Sequence, residues 1–251
     1  MLTSKKDVFI QALEERRLGQ WSLLRSFEKA LEVSHLKSAP EPSSIELTNL
    51  IYRTINWIDA YYLTKMLHGN NEPAYHNRQH FSDACLALSF FLKDIPHLTN
   101  DEKLLLLLTS IVHDFGHTGL ISDEVDSSHE ARTIHLLKNS PLQQLDFQSF
   151  RLICSLILGT KPDTLNDFNQ RYLNKPNQKE FLMQALINDA DIAASYIDSL
   201  TSNLSALILI ETGNKNPSNS EVDSLNSQFK ANFKITTAIA KDYLGIGVQI
   251  D

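Results

Sequence analysis

Apolar side chains recur every three to five residues along most of this chain, and that spacing predicts amphipathic helices. Between residues 5 and 36 the spacing predicts one helix or a pair of helices, which the proline-containing segment KSAPEPSS then ends. A second long helix is predicted to begin at a capping box formed by Ser43 and Glu46 and to stop at Gly69. The N-terminal part of the chain is therefore predicted to be helical.

The same spacing continues through the middle of the chain. The segment RQHFSDACLALSFFLKDI predicts a third helix, and NDEKLLLLLTSIVHDFG predicts a fourth, with Asn100 as its N-cap and Gly116 at its end. Helical spacing returns at residues 128–138, 144–158 and 179–197. The predicted fold class is therefore all-α.

Two polar segments interrupt this pattern in the C-terminal half. The segment GTKPDTLNDFNQRYLNKPNQ contains prolines and is predicted to be a surface excursion, and ETGNKNPSNSEVDSLNS is predicted to be a loop. The last segment, QFKANFKITTAIAKDYLG, predicts a closing helix. No internal repeat and no linker between domains is visible in the sequence.

Length and composition narrow the class of protein. The chain has 251 residues, of which 42% are hydrophobic and 21% charged, with only 8 glycines and 8 prolines, and this is typical of a helix-rich globular domain. Residues 1–66 carry no chemical motif and are predicted to pack as N-terminal helices on a core formed by residues 67–251, in one continuous domain. The alternative role for these helices is contact between subunits of a homo-oligomer.

Charge and cysteine content exclude several functions. A net charge of -7 leaves no basic field that would hold DNA or RNA. The longest apolar run, residues 104–108, is far shorter than a membrane span, and the N-terminus lacks the apolar run of a secretory signal. Cys85 and Cys154 lie in apolar stretches without CxxC spacing and are predicted to be buried free thiols. We therefore expect a cytoplasmic protein that binds neither nucleic acid polymers nor membranes.

Histidines are concentrated in one part of the sequence. Seven of the nine lie between residues 76 and 135. With His97 set aside as a lone residue, six remain, and two pairs among these six are four residues apart, which places both rings of a pair on one helix face. The six are His76, His80, His113, His117, His129 and His135. Neutral imidazole is the commonest side-chain ligand for transition metals, and an adjacent carboxylate such as Asp114 balances the charge of a divalent cation. For His129 and His135 a purely structural role is equally open.

Two features favour a metal site over a set of unrelated histidines. His113 and Asp114 come where a buried helix is predicted to end, and the partial negative charge of a helix C-terminus favours a cation. Asp189 and Asp191 lie in the apolar segment INDADIAASY, where buried carboxylates are costly unless a positive charge compensates them. A metal site made of His80, His113, Asp114 and one of these two aspartates is therefore predicted.

Four motifs together resemble a known enzyme family. YHNRQH at 75–80, HDFGHTG at 113–119, ILGT at 157–160 and ADI at 190–192 occur in the same order as YHNxxH, HDxxHxG, ILAT and ADI in the catalytic domain of class I cyclic nucleotide phosphodiesterases. That domain belongs to the HD superfamily of metal-dependent phosphohydrolases. The resemblance spans residues 75–196, and its first two motifs are specific, whereas the last two are weak alone.

The sequence also departs from the family pattern. Gly116 stands where the family has a second aspartate, Asn188 where it has a histidine, and GTK at 159–161 where it has ATD. For the glutamine and neighbouring aromatic residue that hold the base in the family, only QF at 228–229 offers a counterpart. Base recognition is thus the part of the resemblance with the fewest matching residues.

The resemblance implies a compact multi-helix HD-domain bundle with a metal site in its core. The implied ligands of the first metal are His80, His113, Asp114 and Asp191, and Asp114 would bridge to a second metal. The implied catalytic residues are His76 as the general acid, with His117 and Glu130 supporting the ligands or positioning water. The implied substrate-binding residues are Tyr75 and Asn77.

The reaction implied by the resemblance is hydrolysis of a 3′,5′-cyclic nucleotide to its 5′-monophosphate. It would need two divalent cations, with zinc, iron or manganese at the tighter site and magnesium or manganese at the second. A hydroxide shared by the metals would attack phosphorus, and His76 would protonate the departing alkoxide. The expected partner is a small nucleotide or another small phosphoester.

Two alternatives stay open from the sequence. The first is an HD-type nucleotide phosphomonoesterase or nucleoside-phosphate hydrolase, because the residues that would hold a base are poorly matched. The second is a catalytically degenerate metal-binding module that contacts another protein through its polar loops. Gly116 and Asn188 favour the module, whereas the proton donor His76 beside the ligands favours an enzyme.

Overall fold

The computed structural model describes residues 4–37, 41–119 and 128–247. In these ranges the backbone forms twelve α-helices, two short 3₁₀ turns and no β-strand, which confirms the predicted all-α class. The helices are α1 (Lys5–Leu18), α2 (Leu23–Val33), α3 (Pro42–Leu67), α4 (Arg78–Lys93), α5 (Asn100–Val112), α6 (His129–Leu137), α7 (Phe147–Leu158), α8 (Pro162–Asn174), α9 (Lys179–Ala193), α10 (Asp198–Glu211), α11 (Asn219–Asn232) and α12 (Ala238–Leu244). The 3₁₀ turns are Pro141–Gln144 and Ala194–Tyr196.

Helices α4 and α5 form the centre of the molecule. All residues of α4 from 80 to 92 and all residues of α5 from 103 to 112 are buried. Their apolar residues extend around the whole helix, which is the pattern of a helix surrounded by protein rather than one lying on a surface. Helices α2, α3 and α9 pack against one or both of them.

One apolar core contains residues from both predicted parts of the chain. Phe9 and Phe27 come from the N-terminal helices, and Leu107 and Leu186 come from α5 and α9, and all are fully buried in the same cluster. Helix α1 packs on α4 and α12. The predicted boundary after residue 66 lies in the last turn of α3.

Several predicted helix ends are wrong by a few residues. Helix α5 is capped by Thr99 in a capping box with Glu102, so that Asn100 is its first residue and not its cap. Helix α3 begins at Pro42, which needs no hydrogen bond from its nitrogen and so starts the helix before the predicted capping box. Helix α5 ends at Val112, and Gly116 comes at the end of the turn that follows.

The polar C-terminal segments contain more helix than predicted. Helix α8 occupies the predicted surface excursion, and it turns Leu165 and Asn169 inward and most of its other polar residues outward. Helix α10 was not predicted, and α11 begins inside the predicted loop at a capping box formed by Ser218 and Glu221. The predicted closing helix is in fact the end of α11 followed by α12. Helices α8 and α11 bury few residues and have too sparse an apolar pattern to be recognised, whereas α10 is apolar and was missed although its pattern was present.

The cysteines and the helix lengths were the basis of two further predictions. Cys85 is a buried free thiol as predicted, and Cys154 is also free but half-buried. In the part of the chain described here, no single helix combines the length and apolarity needed to cross a membrane, although Lys179–Tyr196 and Asp198–Glu211, which meet at a 99° bend, would do so as a pair by length and composition.

Asp189 anchors the C-terminal helix to the centre of the fold. Its fully buried carboxylate accepts hydrogen bonds from the backbone nitrogens of Thr236 and Thr237, both at 2.7 Å, and from the Thr237 hydroxyl at 2.6 Å. Thr237 is the N-cap of α12. Burial raises the pKa of Asp189 to about 7, against the effect of these three donors, which favour the ionised form. The residue pattern alone left open which aspartate of the pair serves as a ligand, and the family resemblance implied Asp191. In the structure, Asp189 bonds to the start of α12 instead.

We expect Asp189→Asn to lower the free energy of unfolding by about 2 kcal/mol, because the amide group keeps the shape but offers a donor where three donors converge. Chemical denaturation monitored by circular dichroism would measure the loss. Asp167→Asn, a change at an exposed residue of α8, is the matched control and should have little effect. Equal stability of the two variants would contradict the anchoring role.

Candidate metal centre

Three central helices bring the four predicted ligands together. His80 lies in the first turn of α4, His113 and Asp114 directly follow α5, and Asp191 lies near the end of α9. Because α4, α5 and α9 pack against one another, residues that are up to 111 positions apart in sequence become neighbours. Nitrogen or oxygen atoms of these four side chains all lie within 4.8 Å of one another, and the group could hold a metal ion.

The distances within this cluster suit a transition metal. His80 Nε2 lies 2.9 Å from Asp191 Oδ1 and 3.3 Å from Asp114 Oδ2, and His113 Nε2 lies 3.2 Å and 3.1 Å from the same two oxygens. For bonds of about 2.1 Å, ligand atoms are about 3.0 Å apart at right angles and about 3.4 Å apart at tetrahedral angles. The observed separations run from 2.9 to 3.3 Å, close to this range, as they should around one shared ion.

The hydrogen bonding of His113 prepares it to be a ligand. Its Nδ1 lies 2.9 Å from the carbonyl oxygen of Ser110, which can only accept, so Nδ1 carries the proton. Nε2 of the neutral ring therefore presents a lone pair, and it lies 3.3 Å from Nε2 of His80. Lone pairs of two imidazoles and two carboxylates facing one point repel one another unless a positive charge lies there.

The electrostatics of the cluster lead to the same conclusion. Burial alone would lower the pKa values of His80 and His113, but hydrogen bonds and charges from Asp114 and Asp191 raise both above the ordinary histidine value. Burial alone would raise the pKa of Asp114, but the charge of His113 holds it well below its usual range. Without an ion, protonated imidazoles balance the carboxylates. A divalent cation supplies the same balance and lets both imidazoles bind as neutral ligands.

The turn that carries His113 and Asp114 is fixed from both sides. The Gly116 nitrogen donates to the Tyr62 hydroxyl at 3.3 Å, and its carbonyl accepts from Arg132 Nε at 3.1 Å. The Thr133 hydroxyl donates to the Phe115 carbonyl at 2.9 Å. Helices α3 and α6 therefore hold the ligand turn rigidly, as a preorganised site requires.

Gly116 explains one departure from the family pattern in physical terms. Its φ is +78°, a region that side chains with a Cβ rarely adopt, and a Cβ there would lie 2.3 Å from a methyl group of Leu136. An aspartate at this position, as in the resembling family, would require the Leu136 side chain to move. The observed position of the Leu136 side chain thus depends on a glycine at residue 116.

We expect Gly116→Ala to be clearly more destabilising than Gly69→Ala. Both glycines have a φ of +78°, but a Cβ at Gly69 meets nothing within 4 Å, so only Gly116 adds a clash to the backbone strain. Gly69→Ala should cost about 1 kcal/mol and Gly116→Ala about 1 to 3 kcal/mol more. Denaturant unfolding of both variants measures the difference, and the double variant with Leu136→Ala should recover part of it. Equal losses would show that the Leu136 contact is unimportant.

A second cluster lies beside the first and contains His76, His117 and Glu211. Glu211, the last residue of α10, accepts from the backbone nitrogens of Tyr75 at 2.6 Å and His76 at 2.9 Å. It also accepts a short hydrogen bond from His76 Nδ1. The other ring nitrogen of His76, Nε2, lies 4.0 Å from Asp114 Oδ2. His76 therefore stands between Glu211 and the four-residue cluster.

The hydrogen bonds of this second cluster suit proton transfer better than metal binding. His117 Nδ1 accepts from the Gly119 nitrogen at 3.0 Å, and Glu211 already accepts three donors, so Nδ1 of His117 and both oxygens of Glu211 are engaged in hydrogen bonds. Burial and the charge of His76 lower the pKa of His117 to about 3, so this ring stays neutral. Burial alone would raise the pKa of Glu211, but the bond from His76 lowers it, and the carboxylate stays ionised beside the His76 ring.

The outer histidine of this region is His129. The rings of His76, His117 and His129 stack in series, with centroids 3.9 Å and 3.8 Å apart. The structure therefore places His129 next to the site, whereas His135 is an exposed residue of α6. Glu130 is buried in the first turn of α6 beside His129, and it belongs to neither cluster among the described residues.

The residues predicted to contact substrate are placed beneath the site. Tyr75 is 7% exposed, and its ring packs 4.8 Å from the ring centroids of both His76 and His80. The Asn77 side chain caps α4 by accepting from the nitrogens of Gln79 and His80, and it donates to two carbonyls of the preceding loop. Both residues shape the segment that carries the histidines.

Two family counterparts point away from the ligands. Asn188, on the turn of α9 before Asp191, is buried and bonded to Gln184 and Asn169. Gln228 is exposed on α11 and donates to Ser224 at 3.1 Å. Asn188 thus bonds within α9 and to α8, and Gln228 bonds within α11.

Glu211 is the residue of the site that the sequence did not reveal. It lies 135 positions after His76, in a segment without a motif. A physical signal was present nonetheless, because an acidic residue in the last turn of an apolar helix is disfavoured by the helix dipole. Such a residue is expected to bond to a group outside its own helix.

Comparison with known proteins leaves the geometry as the main evidence. No known protein-family model matches this chain. No match to a curated protein was found either.

Proposed function

We propose that this protein is a metal-dependent phosphohydrolase that cleaves a phosphodiester of a small nucleotide, in the first instance a 3′,5′-cyclic nucleotide to its 5′-monophosphate. The observation that carries the proposal is the position of Asp114. One of its oxygens faces both ligand histidines at 3.1 and 3.3 Å and the His76 ring at 4.0 Å. A metal cluster and a proton donor are thus within reach of one substrate phosphate.

The donor set fits a divalent transition metal. His80, His113, Asp114 and Asp191 would hold zinc, iron or manganese, and Asp114 would also help to hold a more weakly bound magnesium or manganese. When bound, such ions would polarise a phosphoryl oxygen and acidify a water molecule. The two histidines are almost fully buried, whereas Asp114 and Asp191 are 14% and 20% exposed, so the substrate would approach the carboxylate side.

His76 would act as the general acid. Its Nδ1 donates to Glu211, so the proton that can be transferred is the one on Nε2, which faces the Asp114 side of the site. That proton would pass to the oxygen that leaves phosphorus, and the alkoxide would depart as an alcohol. Proton donation of this kind contributes about 10²- to 10⁴-fold to rate. The ionised Glu211 accepts from Nδ1 and so holds the ring with Nε2 turned toward Asp114.

The experiment that tests the proposal is a turnover assay with purified protein loaded with manganese or magnesium. The substrates are cyclic AMP and cyclic GMP beside nucleoside mono-, di- and triphosphates, and Asp114→Asn serves as the inactive control. Release of a 5′-monophosphate from a cyclic nucleotide that the variant lacks would support the proposal. Tight metal binding without turnover of any substrate would contradict it and favour a binding module.

A second candidate is a nucleotide phosphomonoesterase built on the same centre. It is favoured by the exposure of Gln228 and its bond to Ser224, which leave the described residues without the glutamine that holds a base in the resembling family. The same panel separates the two candidates. Release of inorganic phosphate from mononucleotides, with cyclic nucleotides untouched, would identify the phosphomonoesterase.

A further inference from the structure

Helices α10 and α11, with the tip between them, form a hairpin that contacts the rest of the protein both at its base and, through Glu211, near its tip. The base comprises Ile197 on one side and residues 233–236 on the other, and both sides are fixed. The Tyr196 hydroxyl donates a short hydrogen bond to the Phe233 carbonyl, and Asp189 holds the backbone of Thr236. The chain enters the hairpin through a 99° bend between α9 and α10. These contacts define a hinge.

The hairpin packs only shallowly beyond its base. The buried residues of α10 are Thr201, Leu204 and Ser205, and that of α11 is Val222. Leu204 does not join the main core but forms a small separate cluster with Tyr75 and Ala194. Segments with so few buried apolar contacts open more readily than the core of a protein.

The far end of the hairpin holds the candidate proton donor. Glu211 is the last residue of α10, about 20 Å along the helix from Asp198 at the base. Its three hydrogen bonds all reach the segment that carries His76, two through the Tyr75 and His76 nitrogens and one through the His76 ring. A small rotation at the hinge moves Glu211 more than any residue near the base.

We propose that the hairpin of α10 and α11 opens as a unit, independently of the core, and that its docking through Leu204 and Tyr75 sets whether His76 is held as a proton donor. Leu204 is then a positioning residue that acts through Glu211. The consequence for His76 depends on the proposed function, whereas the opening itself does not. The orientation of the His76 ring therefore depends on whether the weakly packed hairpin is docked.

Hydrogen exchange of the whole protein, followed residue by residue, tests the opening without any substrate. We expect the Tyr75 and His76 amides to exchange together with residues 198–232 and faster than the amides of α4 and α5. Leu204→Ala should speed the exchange of all of these by about 10-fold or more, because it removes the central side chain of the docking cluster. Leu165→Ala, which removes an equally buried leucine from α8, should leave the Tyr75 and His76 amides unchanged.

Two results would overturn the proposal. One is uniform acceleration of the whole chain in Leu204→Ala, which would make the hairpin part of the cooperative core. The other is exchange of the Tyr75 and His76 amides at the rate of α4 while the hairpin exchanges faster. Should Leu204→Ala fail to fold, Leu207→Ala at the half-buried edge of the same cluster gives a smaller change of the same kind. If the hairpin and the Tyr75 and His76 amides exchange together but no phosphoester is hydrolysed, the proposed function is rejected while the opening of the hairpin is supported.

Discussion

Asp114→Asn is expected to weaken metal binding by more than about 100-fold and to abolish turnover, since losing even a residue that merely supports a metal ligand costs about 10- to 100-fold. Asparagine keeps the volume and one oxygen, but it removes one of the two negative charges that face His80 and His113. It also removes the carboxylate suited to a second ion.

Metal binding in this variant can be measured by equilibrium dialysis against zinc and manganese with elemental analysis. Stability gives a second readout, because an ion present at 100 times its dissociation constant stabilises a folded protein by about 2.7 kcal/mol. Chelator should remove that increment from the native protein and change nothing in Asp114→Asn. Asp223→Asn, at an exposed residue of α11, controls for the loss of a charge. Unchanged metal affinity would leave the cluster as an ion-paired network of histidines and aspartates.

The sequence predicts the centre of the fold well because that part of it is simple. Helices α4 and α5 are apolar on every side, and a run such as Leu104 to Leu108 has no stable alternative to burial. Their packing also brings His80, His113, Asp114 and Asp191 together, as the motifs predicted. Ligands placed on central helices can therefore be predicted as well as the helices themselves.

Helix ends were predicted less accurately because the same capping-box spacing led to different structures at two places. Ser43 with Glu46 and Thr99 with Glu102 share capping-box spacing, yet only Thr99 and Glu102 form the box. At Pro42 the helix has already begun, because proline is suited to a first helical position. The choice depends on the neighbouring residue rather than on the pair itself.

The residues that complete the site could not be found by local pattern. Glu211 reaches His76 only because α10 turns back after the 99° bend, and nothing near Glu211 in sequence encodes that path. Asp189 and Asp191 show the same limit at short range. They are two residues apart on one helix, yet one binds the α12 backbone and the other faces the histidines. Which face meets which neighbour is decided by tertiary packing.

Glu211→Gln is expected to lower turnover by roughly 10²- to 10³-fold while metal affinity stays unchanged, because proton donation is impaired and no ligand is lost. The amide keeps the length of the side chain and can still accept from the Tyr75 and His76 nitrogens. Its amide nitrogen, however, takes the place of the oxygen that accepts from His76 Nδ1, so the ring is no longer held in its orientation. Glu180→Gln, at an exposed residue of α9, is the matched control.

The leaving group distinguishes loss of the acid from general damage to the site. A sugar alkoxide needs a proton to depart, whereas a nitrophenolate leaves readily without one. Glu211→Gln should therefore slow hydrolysis of a cyclic nucleotide far more than hydrolysis of a nitrophenyl phosphodiester, and His76→Ala should show the same selectivity. Equal losses on both substrates would mean that Glu211 maintains the metal cluster and that the proton comes from another group. Selective loss with unchanged metal content would assign proton donation to the pair of Glu211 and His76.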